Sequence, residues 1–120
     1  MSKVIEKGES RAIRYRARAR PYMDLKTLQQ EVKERGKTMK IRPQTSPEIM
    51  LGILEEAGEV AKEVALFEKV GNKINWKRLP DKDLLAEEIS HLLVNVVSLS
   101  SCYDIDLDQT MKKLFENNEK

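Results

Sequence analysis

Two short clusters hold most of the residues able to do chemistry in this chain: Glu55-Glu56-Ala57-Gly58-Glu59 and Glu87-Glu88-Ile89-Ser90-His91. Each is set in an otherwise apolar stretch with helical spacing. On a helix, Glu56 and Glu59 stand one turn apart on the same side, and so do Glu88 and His91. Ionised carboxylates are costly beside a core unless something neutralises them, and crowded together they repel and take up protons. A divalent cation held between two helices is the simplest remedy. Such an ion binds phosphate oxygens and polarises water, so the pattern points toward a metal site and phosphate chemistry. Spacing alone also allows a plainer reading, surface charge on two amphipathic helices.

The elements that must carry these residues are legible around them. Ser46-Pro47-Glu48 reads as a helix start, with Ser as N-cap, Pro in the first turn and Glu at the positive end of the dipole. That helix should run to about Lys69 and end at Gly71. Met50, Ile53, Leu54, Ala57, Val60, Ala61, Val64 and Phe67 make its apolar face, with Glu56, Glu59 and Glu63 as a narrow stripe beside it. A second long helix is expected from Asp81 or Lys82 to Tyr103. Its core face is Leu85, Ile89, Leu92, Leu93 and Val96, and Glu88, His91 and Asn95 share the adjoining face.

Two shorter helices complete the set. One covers about Asp24 to Arg35, with Asp24 as cap, Leu25, Leu28 and Val32 on one face and Gly36 as stop. The other covers about Leu107 to Asn117, capped by Asp106, with Leu107, Met111, Leu114 and Phe115 facing inward. Between them, Lys37 to Thr45 is basic and irregular, broken by Pro43. Gly71 to Pro80 is a connection in which Trp76 is expected to cover a core edge. No repeat and no strand-like alternation interrupts the pattern. The fold class is all-α, a four-helix, bundle-like unit.

At 120 residues the chain is one domain, and a four-helix unit this short often completes its core by pairing with a copy of itself. Charge divides it into a basic arm, residues 1–21, and a helical domain, residues 22–120. Residues 1–20 hold seven Lys/Arg against Glu6 and Glu9, a net +5 within a chain of +2, which leaves the remainder at −3. The stretch Arg11–Arg20 alternates basic and small residues. It reads as a solvated tail or a strap across a partner subunit. As a nucleic-acid grip it is poorly equipped, because only Tyr15 lies within the Arg run to stack on a base.

The lone Cys102 excludes an internal disulfide and fits a reducing, cytoplasmic setting. The start of the chain lacks the apolar core of a secretory signal. The longest uncharged run, residues 89–103, is too short and too polar to span a bilayer. No membrane association is expected.

The two clusters in context, Leu54-Glu55-Glu56-Ala57-Gly58-Glu59-Val60-Ala61 and Leu85-Ala86-Glu87-Glu88-Ile89-Ser90-His91-Leu92, resemble the MazG-type all-α nucleoside triphosphate pyrophosphohydrolases. The hallmark of that family is EExxE, a variable gap, then ExxD. Ser46-Pro47-Glu48 is similar to the family's usual opening. Tyr103-Asp104-Ile105-Asp106-Leu107 resembles its "GIDL" connection, and Lys113-Leu114-Phe115-Glu116-Asn117-Asn118 its "KLxxN" ending. The resemblance spans about residues 24–118 and leaves the basic arm outside.

The resemblance implies a magnesium ion held by Glu56, Glu59 and Glu88, with His91 in the fourth place. It implies that Glu55 orients or deprotonates the attacking water, and that Lys113 and Asn117 contact phosphates or nucleotide. Asn95, one turn beyond His91, could reach the same ligand. The implied reaction converts a nucleoside triphosphate to the monophosphate and pyrophosphate, in a dimer or tetramer with the pocket between helices. A different pyrophosphate bond, as in the related phosphoribosyl-ATP pyrophosphohydrolases, is a variant of the same expectation.

His91 stands where the family has an acid. Magnesium prefers hard oxygen ligands, whereas imidazole suits manganese, zinc, iron or nickel. The site could keep magnesium with His91 aside, change its metal, or retain binding without turnover. Two rival readings follow. Glu-x-x-His is half of a ferritin-like di-iron signature, which a chain with a single His could complete only as a symmetric dimer. A helical interaction module with a decayed site, binding through the basic arm, is the other.

Overall fold

The computed structural model describes residues 23–37 and 44–118, and these form four α-helices and one 3₁₀ turn. The helices are α1, Leu25–Lys37; α2, Ser46–Glu68; α3, Lys82–Cys102; and α4, Leu107–Asn118, with the short turn Gly71–Lys73 after α2. Among the described residues there is no strand, and the fold is all-α as expected. No helix among them is long and apolar enough to cross a membrane. The basic arm, including the Arg11–Arg20 stretch, and Pro43 with the segment before it lie outside the described residues.

The caps explain where the helices begin. Asp24 accepts from the Thr27 amide at 2.8 Å, and Asp106 accepts from the Gln109 amide at 3.1 Å, both as anticipated. Asp81 accepts from the amides of Asp83 and Leu84 and opens α3. For α2 the cap is Thr45, one residue earlier than expected. Its hydroxyl accepts from the Glu48 amide, and the Glu48 carboxylate accepts from the Thr45 amide at 3.0 Å. Thr45-x-x-Glu48 has capping-box spacing, and Ser46-x-x-Ile49 does not. Ser46 instead accepts a hydrogen bond from the Tyr103 hydroxyl at 2.9 Å, tying the start of α2 to the end of α3.

The end of α2 also differs. The residue that turns left-handed to stop the helix is Lys69, at φ 53° and ψ 51°, with Gly71 following at φ +60°. α1 runs through Gly36 to Lys37 rather than stopping at the glycine.

The long helices α2 and α3 form the main packed pair; α1 lies on α3, and α4 docks on α1. Gln29 of α1 secures that docking. Its side-chain amide donates to the Ile105 carbonyl at 3.0 Å and its oxygen accepts from the Leu107 amide at 3.1 Å, which locks the α3–α4 turn.

The apolar interior differs from the faces expected from the helical periodicities. Only Ile49, Leu66 and Val97 are buried hydrophobics among the described residues, and none of the three stands on those expected faces. Met50, Leu54, Val64 and Phe67 of the expected α2 core are exposed, as are Ile89, Leu93 and Val96 of α3 and Met111, Leu114 and Phe115 of α4. Each of these helices has an apolar arc wider than the neighbours it packs on, so one chain covers only part of it. Trp76 is likewise half-exposed, with the Lys73 ammonium 3.6 Å from its ring centroid.

Candidate metal centre

The α2–α3 pair sets the acidic clusters face to face. Glu56 comes from the middle of α2, while Glu88 and His91 come from α3 one turn apart. Ligand atoms from Glu56, Glu88 and His91 all lie within 4.8 Å of one another. The helices approach closely here: a Cβ added at Gly52, one turn before Glu56, would stand 3.4 Å from the Asn95 amide nitrogen. Asn95 therefore belongs to the same seam as His91, one turn further along.

Two electrostatic features mark the cluster. Glu56 Oε2 is buried and has no hydrogen-bond partner, although the Glu56 side chain as a whole is 26% exposed. A carboxylate oxygen stranded in that way is costly unless a cation or donor faces it. Its nearest cationic candidate is His91 Nδ1 at 3.8 Å, too long for a hydrogen bond. Secondly, Glu88 is held above the ordinary carboxylate range. Partial desolvation is the largest cause, followed by a hydrogen bond to Glu56, the charge of Glu56 and the charge of Glu59, with His91 opposing. Glu88 thus takes up a proton more readily than an isolated glutamate, and a bound cation would oppose that uptake.

Glu59 stands beside this group rather than in it. Its carboxylate pairs with Lys62 at 2.7 Å, one turn along the same helix, yet its charge still reaches Glu88. Glu55 is exposed on α2. Lys113 and Asn117 are exposed on α4, whose packing partner is α1, and no hydrogen bond or ion pair among the described residues joins them to the cluster. Glu63, the last member of the acidic stripe, has a separate role: it is 1% exposed and bound by Arg78.

Three neighbours had no role assigned from the sequence. Glu87 Oε1 lies 4.0 Å from His91 Nε2, on the side of the ring opposite Glu56. Lys62 occupies Glu59, and Arg78 neutralises Glu63. The first two were available as i,i+4 and i,i+3 spacings. The third needs the path of a connection that local spacing does not encode.

Two carboxylates and an imidazole, with an orphaned buried oxygen between them, fit a divalent cation. A model of the MazG nucleotide pyrophosphohydrolase domain matches residues 44–120. No curated protein and no solved structure matches the chain. The matched segment begins just before α2 and contains every residue of the cluster.

Proposed function

Because this chain belongs to the MazG nucleotide pyrophosphohydrolase family, we propose that it hydrolyses a nucleoside triphosphate to the monophosphate and pyrophosphate at the α2–α3 seam. The observation that carries this reading is the convergence of Glu56, Glu88 and His91 within 4.8 Å around an unpartnered buried oxygen. A divalent cation bound there would neutralise phosphate charge and make water a better nucleophile.

The chain's own residues divide the remaining work. Glu56, Glu88 and His91 would hold the cation, and Glu59 would join them if it gave up the Lys62 ammonium. Glu55, exposed on α2 and next in sequence to Glu56, orients the attacking water and accepts its proton. Asn95 offers an amide to the nucleotide from one turn along α3. Lys113 and Asn117 belong to the phosphate and nucleotide contacts, and because α4 packs on α1, a second copy of the chain is one way to bring them to a site. The exposed apolar arcs of α2 and α3 support such self-association.

The test is a screen of canonical and modified nucleoside triphosphates with magnesium and with manganese, reading released pyrophosphate. Pyrophosphate and monophosphate in equal amounts from at least one nucleotide, lost in Glu56→Gln, is the expected result. Release of orthophosphate alone, or no turnover with any nucleotide under either ion, would overturn the assignment.

A further inference from the structure

His91 is placed between two carboxylates on opposite sides of its ring. Nδ1 faces Glu56 Oε2 at 3.8 Å, and Nε2 faces Glu87 Oε1 at 4.0 Å. The two sides are not equivalent. Glu87 is on the same helix, four residues earlier, and is 63% exposed, so it is a solvated acceptor with freedom to meet a ring N–H. Glu56 Oε2 is buried and receives no hydrogen bond. Neither separation is a hydrogen bond; the exposed Glu87 carboxylate is free to rotate onto Nε2, whereas the buried Glu56 oxygen leaves a gap of 3.8 Å to Nδ1. Two ligands about 2.1 Å from a shared ion can stand up to ~4.2 Å apart, so the gap suits a pair that meets across a cation.

We propose that His91 is a nitrogen ligand through Nδ1, that Glu87 is its positioning residue, and that together they turn the site toward a first-row divalent ion such as manganese in preference to magnesium. The inference rests on the metal-centre reading above and names the ion and the residue that reading leaves open. A neutral imidazole carries one proton, and a carboxylate beside Nε2 keeps it there, leaving the Nδ1 lone pair toward Glu56. Glu87 thereby selects the tautomer and limits ring rotation. A nitrogen donor adds little to magnesium, which demands oxygen and gives up water reluctantly, and adds more to manganese and the ions beyond it.

The experiment uses the full chain without substrate. Manganese binding is followed by loss of the free aqua-ion EPR signal, magnesium binding by competition, and coordinated nitrogen by electron spin-echo modulation. The wild type should bind manganese at least about tenfold more tightly than magnesium and show ¹⁴N modulation. His91→Asp should abolish the modulation and reduce or reverse that ratio. Glu87→Ala should weaken manganese about 10- to 100-fold with little change for magnesium, and Glu87→Gln, whose amide oxygen accepts the same proton, should restore much of the loss. Circular dichroism confirms that each variant is folded.

Equal affinity for the two ions, absence of ¹⁴N modulation, or an equal loss of both ions in Glu87→Ala would overturn the proposal. These readouts are independent of turnover. Manganese binding with nitrogen coordination but no pyrophosphate release upholds the proposal while removing the hydrolase reading. Turnover with magnesium unaffected by His91→Asp does the opposite.

Discussion

Arg78 Nη2 donates to both carboxylate oxygens of Glu63, at 2.9 and 2.7 Å, and Glu63 is 1% exposed. This ion pair anchors the connection after α2 to the buried side of that helix, two turns beyond Glu56. It also removes one carboxylate from the acidic stripe, so the negative charge left near Glu88 belongs to Glu56 and Glu59.

Loss of that anchor should be felt as stability. Arg78→Ala leaves a buried carboxylate without its cation, a change that costs about 3–5 kcal/mol for fully buried pairs. The Arg78 side chain is 39% exposed, so water reaches the pair and roughly 2–3 kcal/mol is the better expectation here. The double variant Glu63→Met/Arg78→Met should recover most of the loss, because it removes both charges together. Urea unfolding of the three proteins checks this, and a double variant no more stable than Arg78→Ala would contradict it.

Lys62 should compete with the cation. It holds Glu59 at 2.7 Å, and the same contact is the main reason the Lys62 ammonium titrates above its ordinary value. Lys62→Met frees Glu59 and should tighten divalent-ion binding several-fold, on the order of one surface ion pair. Calorimetric titration reads the difference directly; unchanged affinity would mean that Glu59 takes no part in the site.

Cation binding should release protons in a pH-dependent way. Glu88 in the folded protein holds its proton above the ordinary glutamate value, chiefly through desolvation and then through Glu56. The sign follows from linkage: a group with a raised folded pKa lends stability at low pH and loses it as pH climbs through that raised value. Metal-free protein should therefore lose thermal stability as pH rises from the ordinary glutamate range, and saturating cation should suppress the loss. The same window should show ion affinity growing with pH. Melting curves with and without the ion check both, and a metal-free melting point that rises across the window would refute the linkage.

Self-association should depend on the apolar arcs that one chain leaves exposed. Leu54 is 60% exposed and Ile89 48% exposed. Leu54→Glu and Ile89→Glu should shift light-scattering mass toward the monomer while leaving helical content unchanged. Gly58→Ala offers a contrast, since a Cβ there meets nothing within 4 Å inside the chain. If that face is free it should stabilise α2 by about 0.5–1 kcal/mol, and if a second copy packs closely on it, it should weaken association instead. A monomeric wild type at high concentration would contradict the pairing.

How much of this was legible beforehand differs from residue to residue. Glu88 and His91 could be placed on one side of their helix by spacing, and Glu56 with Glu59 on one side of theirs, because 3.6 residues per turn dictates which side chains share a face. The caps at Asp24 and Asp106 were legible for the same local reason. Thr45 was legible too, through its capping-box partner Glu48, although Ser46 was the more conspicuous residue. The four helices and the all-α class follow from apolar periodicity, which is a property of neighbours along the chain.

Whether Leu54 or Ile49 enters the interior was a tertiary matter. Leu54 stands on the face the helical period picks out and Ile49 lies beside it, and only the crossing of α2 with α3 decides which of them points at a neighbour. The same holds for Glu59 standing aside with Lys62, for Glu63 meeting Arg78, and for Gly52 bringing Asn95 close to the seam. Local sequence sets helices, their caps and their charged faces, because those depend on contacts a few residues apart. The packing of distant segments sets which carboxylates converge, because burial and electrostatic strain arise only when two faces meet.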